Sequence, residues 1–311
     1  MESKAAAAAC VCEDDIRDSR PRFYALRYMT GKMIKDRLAL YAFIFLVFVL
    51  FVSIAAPLVS PYDQATGDVW ERLKPPVWSD GGSPEHLLGT DQQGRDVLSR
   101  IIWGGRVSLR VGFIVVILAA AVGVFLGLLA GYAGGKTEII IMQMVDIQFA
   151  FPGMLVALVF VMVLGPGEFN LILALAFNGW MVFARMARGL VLTYRNGPLV
   201  EAAEAIGVKP LKIMFRHILP NIFSPLMTLF VLEVARIILA EATMSFLGYG
   251  IQPPTSSWGL MIGEGRSYFP MAWWLVVFPG VAIAVSVWAL NIFSNWLSTV
   301  MDPLQKGQSA E

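Results

Sequence analysis

The sequence predicts an all-α polytopic membrane protein with six transmembrane helices, and three observations carry that expectation. Of its 311 residues 57% are hydrophobic and 15% charged, against about 25% charged in ordinary soluble domains. The hydrophobic residues gather in runs of about 20, the length that crosses a ~30 Å hydrocarbon core at ~1.5 Å per residue. Basic residues concentrate in alternate connections, the asymmetry that orients a membrane chain. A net charge of +1 gives no reason to expect nucleic acid as a partner, so the lipid bilayer is the partner the composition argues for.

Residues 1–37 read as a polar, disordered tail, in which Arg17–Arg37 holds seven basic and two acidic residues and so is expected in the cytoplasm. The run Ala5–Ala9 lacks a preceding basic region and lies far upstream of the first apolar run, so it is not a signal-peptide core. Cys10 and Cys12 read as incidental reduced thiols in preference to a metal or lipidation site. With only His86 and His217, no His-based metal site is expected. Leu38–Leu58 is the first crossing, element 38–59, and it delivers the chain to the outside. There the stretch Ser60–Arg106 holds seven acidic and five basic residues, a balance suited to a non-cytoplasmic loop. Within it Asp91–Arg95 reads as a turn, followed by a surface helix from about Asp96 with Val97, Leu98, Ile101 and Ile102 at helical spacing. This scoop is expected to pack on the outer mouth rather than touch substrate.

Residues 107–300 form the core with the other five spans. The second, Ser108–Tyr132, carries Gly123, Gly127, Gly131 and Gly135 at every fourth position, a smooth stripe for packing helices closely. The glycines of GYAGGKT do not make a P-loop, because three residues rather than four separate Gly131 from Gly135 and no strand precedes them. A tight turn at Gly134–Thr137 leads to the third span, Ile139–Leu164, whose Asp146 is expected to be solvated or paired with a loop base rather than placed in a substrate path. The fourth is Leu171–Met186. The fifth begins at Ile222, and in it Glu233 and Arg236 share a face and can pair. Glu241 lies roughly 31 Å by helical rise beyond Pro220, near the outer mouth. Pro253 and Pro254 prevent a helix in the excursion that follows. Trp273–Leu297 is the last span, with Trp273, Trp274, Trp288 and Trp296 suited to interfacial belts. A polar tail, 301–311, ends the chain in the cytoplasm. No spaced His or Cys ligands and no nucleophile–base pair occur in the spans, so no catalytic residue and no metal ligand is expected.

Between the fourth and fifth spans, 198–220 is a polar, small-residue island. Pro198 opens a helix to Ile206, Gly207 permits a sharp turn, and Pro210 opens a second helix that Pro220 ends before the membrane. Ala202 and Ala203 make the first helix thin enough for a partner's backbone to approach. From Arg185 to Arg216 six basic residues face two acidic ones, which places the island inside. It is a handle between two spans.

The run EAAEAIGVKPLKIMFRHILP resembles the EAA loop of ABC-type importer permeases, on Glu201, Ala202, Ala203, Gly207, Leu219 and Pro220. His217 stands where an apolar residue is usual, and RHILPN is similar to the peptide-class version. Three more blocks resemble dipeptide and oligopeptide permeases: Gly89, Thr90, Asp91, Gly94, Arg95 and Asp96; MVDIQFAFP; and the pieces around MSFLG and QPPTSSWG. The resemblance covers almost everything after residue 37. It implies the type I importer permease fold with cytoplasmic coupling helices, in the bacterial inner membrane, forming half of a translocation pathway. It further implies a second homologous permease subunit, two ABC ATPase subunits that hold ATP and Mg, and a periplasmic or lipid-anchored binding protein that delivers peptide. This chain then needs no cofactor of its own. A nickel chelate, glutathione or an opine is the alternative cargo. A secondary transporter is the rival from another class, and it lacks the internal repeat expected of it. A membrane enzyme is a third reading, weakened by the missing catalytic residues.

Overall fold

In the computed structural model, which describes residues 31–301, the long elements are helices, and β-type pairing among the described residues is limited to two isolated bridges, Gly67 with Arg95 and Thr90 with Asp96. The chain divides into two compact units, residues 1–41 and 42–311. In the described part of the first, the Asp36 carboxylate accepts hydrogen bonds from the amides of Leu38 and Ala39 at 3.1 and 3.2 Å, which satisfies the free donors of a helix start. That helix is α1, Arg37–Ile54. The expected N-terminal tail with its cysteines, and the C-terminal tail, lie outside the described residues apart from their inner ends.

The second unit continues with α2 (Val97–Ala133), α3 (Gly135–Phe149), α4 (Gly153–Leu164), α5 (Glu168–Arg195), α6 (Pro198–Ala205), α7 (Pro210–Ile213), α8 (Leu219–Phe246), α9 (Trp258–Gly265) and α10 (Trp274–Met301). Among the described residues α1, α2, α5, the run Pro210–Phe246 and α10 are long and apolar enough to cross a membrane, and α3 with α4 adds a sixth crossing when the pair is taken as one broken span.

Several expectations need correction. The surface helix near Asp96 and the second span are one helix of 37 residues, about 55 Å long, so the preceding loop ends at Asp96 and not at Arg106. Asp96 caps it by accepting from the Ser99 amide at 2.7 Å. Gly104 and Gly105 do not break it, because each lies tight against Trp258. The third span is bent by 87° at Ala150–Pro152, where proline supplies no amide to continue the ladder. The bend is held to α5 by Gln148, which donates to the Phe177 carbonyl at 2.6 Å and accepts from the Trp180 indole at 3.0 Å. The fourth span runs past Met186 to Arg195, since the single glycine on the way, Gly189, weakens a helix without stopping it and the next break comes at Asn196 and Gly197. Trp274 and Trp296 are buried inside the protein and do not present their rings on its surface; Trp274 donates to the Thr90 carbonyl at 3.1 Å.

One core joins α2, α4, α5, α8, α9 and α10. The close approach of α2 to α5 follows from three glycines. A Cβ on Gly123 would stand 2.2 Å from the Trp180 carbonyl oxygen, on Gly127 2.5 Å from that of Ala184, and on Gly131 2.7 Å from the Val191 Cβ. Gly135 is not part of this stripe: α2 ends at Gly134, and Gly135 opens α3 with φ +54° and open space around it.

At the N-terminal end of α2 the loop of residues 60–96 is built on buried charge. Asp91 accepts from Arg95 Nε at 2.6 Å and Arg100 Nη1 at 2.5 Å, while Glu264 accepts from the same two guanidinium groups at 3.1 and 2.8 Å. His86 lies between Asp96 and Glu71, 2.9 Å from each. Loop, α2 and α9 are thereby locked together.

Candidate functional site

The other end of α2 carries the island. Pro198 occupies the first helical position of α6, where its missing amide is no loss. The helix ends in a paired cap: the Gly207 amide donates to the Glu204 carbonyl at 2.9 Å and the Val208 amide to that of Ala203 at 3.0 Å, with Gly207 at φ +76°. This is the Schellman arrangement, which selects glycine because its left-handed backbone penalises a Cβ. Lys209 and Pro210 then start α7.

The second helix of the hairpin differs from expectation. After Ile213 come five residues with the wider spacing of a π-helix, Met214–Ile218, and these lead without interruption into α8. Pro220 lies inside this continuous run and does not end it. A proline ring ordinarily collides with the carbonyl four residues back, and the wider turn opens room there. The side chain of Asn221 serves the His217 carbonyl at 2.6 Å. The handle is therefore rigidly continuous with the fifth span.

Burial divides the island's residues. Val200, Ala203, Ile213, Met214 and Ile218 are buried in a cluster with Leu128 of α2, Ala187 and Val191 of α5, and Ile222 and Leu226 of α8. Ala203 thus packs inside its own chain, a correction to the expectation that it faces a partner. Glu201, Ala202, Gly207 and Pro220 are exposed, and His217 and Leu219 are half-buried. The exposed surface also contains Leu199, Ile206 and Leu211, with Ile206 80% exposed. The sequence reading passed over these three; large apolar residues flanking a glycine turn were the signal.

A polar contact ties the hairpin to α2. Tyr132, in the last turn of α2, donates to Glu204 at 2.8 Å. A polar cavity of about 400 Å³ opens beside that bond, lined by Tyr132, Ala133, Arg195, Asn196, Glu201 and Glu204.

The intramembrane polar residues fall into separate places. Asp146 pairs with Arg185 of α5 and not with a loop base, and Glu138 accepts from Arg188 Nε at 2.8 Å between the same two helices. Glu233 accepts from Arg236 at 2.8 Å within α8. Glu241 is fully buried and accepts from Ser108 at 2.8 Å and Ser245 at 2.7 Å. The Ser245 hydroxyl in turn accepts from the Ile251 amide at 3.1 Å, so Glu241 holds the connection after α8 onto α2.

Comparison with known proteins gives a consistent picture. Residues 123–307 match the family described as binding-protein-dependent transport system inner membrane component, and residues 26–76 match the N-terminal TM domain of oligopeptide transport permease C. The chain is 39% identical over 268 residues to the di/tripeptide transport system permease protein DppC of Pseudomonas aeruginosa, covering 86% of this chain and 88% of that one. It is 42% identical over 272 residues to the dipeptide transport system permease protein DppC of Escherichia coli K12, covering 88% and 91%. The glutathione transport system permease protein GsiD of Pectobacterium atrosepticum is 36% identical over 275 residues, covering 88% and 90%. In structure the chain is similar to a chain of the MetNI methionine ABC transporter solved in inward-facing conformations. The TM-score is 0.55 at 16% identity, over 65% of this chain and 96% of that one, which shows the fold.

Proposed function

Because the chain belongs to the family of binding-protein-dependent transport system inner membrane components, it is a permease subunit of an ABC importer, and we propose that its cargo is a short peptide. The support is the resemblance to dipeptide permeases along nearly the whole chain; glutathione, itself a small peptide, is the cargo named for a more distant relative. The chain forms half of the pathway beside a second homologous permease subunit. Two ABC ATPase subunits hold ATP and Mg and hydrolyse the nucleotide, and a binding protein delivers the peptide. Both termini and the hairpin lie in the cytoplasm of a bacterium, in accord with the basic residues of 185–216.

The observation that carries the coupling role is the hairpin's division into a buried face and an exposed one. Its buried face is continuous with the packing of α2, α5 and α8, so a push on Ala202, Ile206 or Leu211 is delivered to three spans at once. Closure of the ATPase pair moves the hairpin, the spans tilt as rigid bodies, and the translocation pathway changes the side on which it opens. On this reading Glu201, exposed beside Ala202, pairs with a base of the ATPase. Hydrolysis resets the arrangement.

The test is Gly207→Leu in the reconstituted importer. A side chain at this left-handed position strains the cap, by roughly 1 kcal/mol or more, and shifts the exposed face. Peptide uptake per ATP hydrolysed is expected to fall while the subunit still inserts in the membrane. Unchanged uptake would remove the hairpin from the mechanism.

A further inference from the structure

The Asp146–Arg185 pair is not used by the coupling mechanism, and its surroundings are unusual for a charged pair on membrane-spanning helices. The Arg185 and Asp146 side chains are 52% and 67% exposed, and Arg185 lies about 15 Å by helical rise from the end of α5. Polar groups at such positions are costly against hydrocarbon and face water or protein instead. The Arg185 guanidinium lies over the Phe149 ring, 4.3 Å from its centre. Beside it an open cavity of about 390 Å³ runs between α3, α5 and α8, walled by Phe149, Met186, Leu190 and Leu229, with Gly189 leaving its floor clear. That volume is within the range of small-molecule sites, about 300–1,000 Å³.

The Arg185 guanidinium on the wall of this apolar cavity, with the Asp146 carboxylate bonded to it, is the complement of a compact molecule that carries an ammonium and a carboxylate close together with an apolar group beside them. We propose that this cavity is a station on the substrate path that takes a zwitterion, with Arg185 receiving the carboxylate and Asp146 the ammonium. The proposal rests on the reading of the chain as a peptide-importer subunit. An exposed ion pair is weakly held in water, so both partners can be exchanged for the ligand's charges and paired again when the ligand leaves. Total charge is balanced before and after. The second pair, Glu138 with Arg188, lies between the same helices and continues the alternation of charge toward the hairpin end.

The test uses the assembled importer in proteoliposomes with Cys10 and Cys12 replaced by serine. Gly189→Cys supplies a thiol where a Cβ meets nothing within 4 Å, and a charged, water-soluble methanethiosulfonate is the probe. The thiol is expected to react, and dialanine with binding protein and ATP is expected to slow the reaction severalfold. Asp146→Asn and Arg185→Gln should each abolish this protection, whereas Arg185→Lys should retain it. Retention of the ATPase subunits on purification verifies that each variant assembles. A thiol closed to the charged reagent, as when this face seals against the second permease or lipid, overturns the proposal, as does protection that is absent or survives both substitutions. Dialanine uptake by the cysteine-free parent keeps the two readings apart. Failure of that uptake overturns peptide import, while uptake with an unprotected thiol overturns only the cavity's assignment.

Discussion

Single residues show how contact distance separates positions that look alike in the sequence. Gly123 and Gly280 are both glycines inside long apolar helices, yet a Cβ meets the Trp180 carbonyl at 2.2 Å in the first and nothing within 4 Å in the second. Gly123→Ala is therefore expected to lower stability by about 1–3 kcal/mol through overpacking. Gly280→Ala should raise it by about 0.5–1 kcal/mol, the usual gain from removing a helical glycine. Thermal unfolding of the purified complex in detergent measures both. Glu71 makes a pH prediction. Its hydrogen bonds with Lys74 and then His86 hold its carboxyl below the ordinary 4.5. A lowered carboxyl contributes stability that is fully present above its unfolded value and is lost as pH falls through the lowered native one. Lys74 is raised above 10.5, chiefly by its hydrogen bond with Glu71, so its contribution is present below 10.5 and lost as pH rises through the raised value. Amide protection of Leu73 and Lys74 should thus hold between these limits and fall on acidification below about pH 4.5, and Glu71→Gln should flatten the acid limb. Exchange that ignores pH in this range would contradict the assignment. The glycine period was legible at this scale, but which glycines touch a neighbour was not: Gly135 continues the spacing and lies beyond the end of the helix.

Among the elements, the hairpin was the most legible, because its Gly207 cap and two proline starts follow from local backbone chemistry. The broken third span was not. Pro152 marks a break, but its 87° angle depends on how Gln148 is held by Phe177 and Trp180 of another helix. Gln148→Leu leaves the Trp180 indole without this acceptor. Interhelical hydrogen bonds in membranes contribute about 0.6 kcal/mol on average and up to about 1.7, so a loss of that order is expected in a denaturation series. Spin labels on α4 and α5 should then report a broader distance distribution across the bend. A distribution as narrow as the parent's would mean that proline alone sets the angle. The π turn at Met214–Ile218 has a similar origin: local rules stop a helix at Pro220, and packing of Ile213, Met214 and Ile218 into the shared core keeps it going.

At the scale of the whole molecule, α2 links two ends with opposite designs. One end is a loop locked by Asp91, Arg95, Arg100 and Glu264, where four charges are mutually paired. The other meets the hairpin through an apolar cluster and the Tyr132–Glu204 bond. A rigid rod held firmly at one end and joined at the other carries displacement along its length. Tyr132→Phe removes one hydrogen bond, about 0.5–1.5 kcal/mol, and is expected to lower uptake per ATP hydrolysed roughly two- to tenfold while the ATPase subunits remain bound. Glu204→Gln, which keeps an acceptor oxygen, should be milder. Equal effects of the two would place the role of these residues elsewhere. The sequence by itself determined the membrane class, the number of apolar runs and the site of the hairpin, because hydropathy, glycine and proline act over a few neighbouring residues. Only the tertiary structure decided that Ala203 turns inward while Ile206 turns outward, that Asp146 meets Arg185, and that the island is continuous with the fifth span. Those outcomes depend on groups from different helices competing for the same space, and no local rule contains that competition.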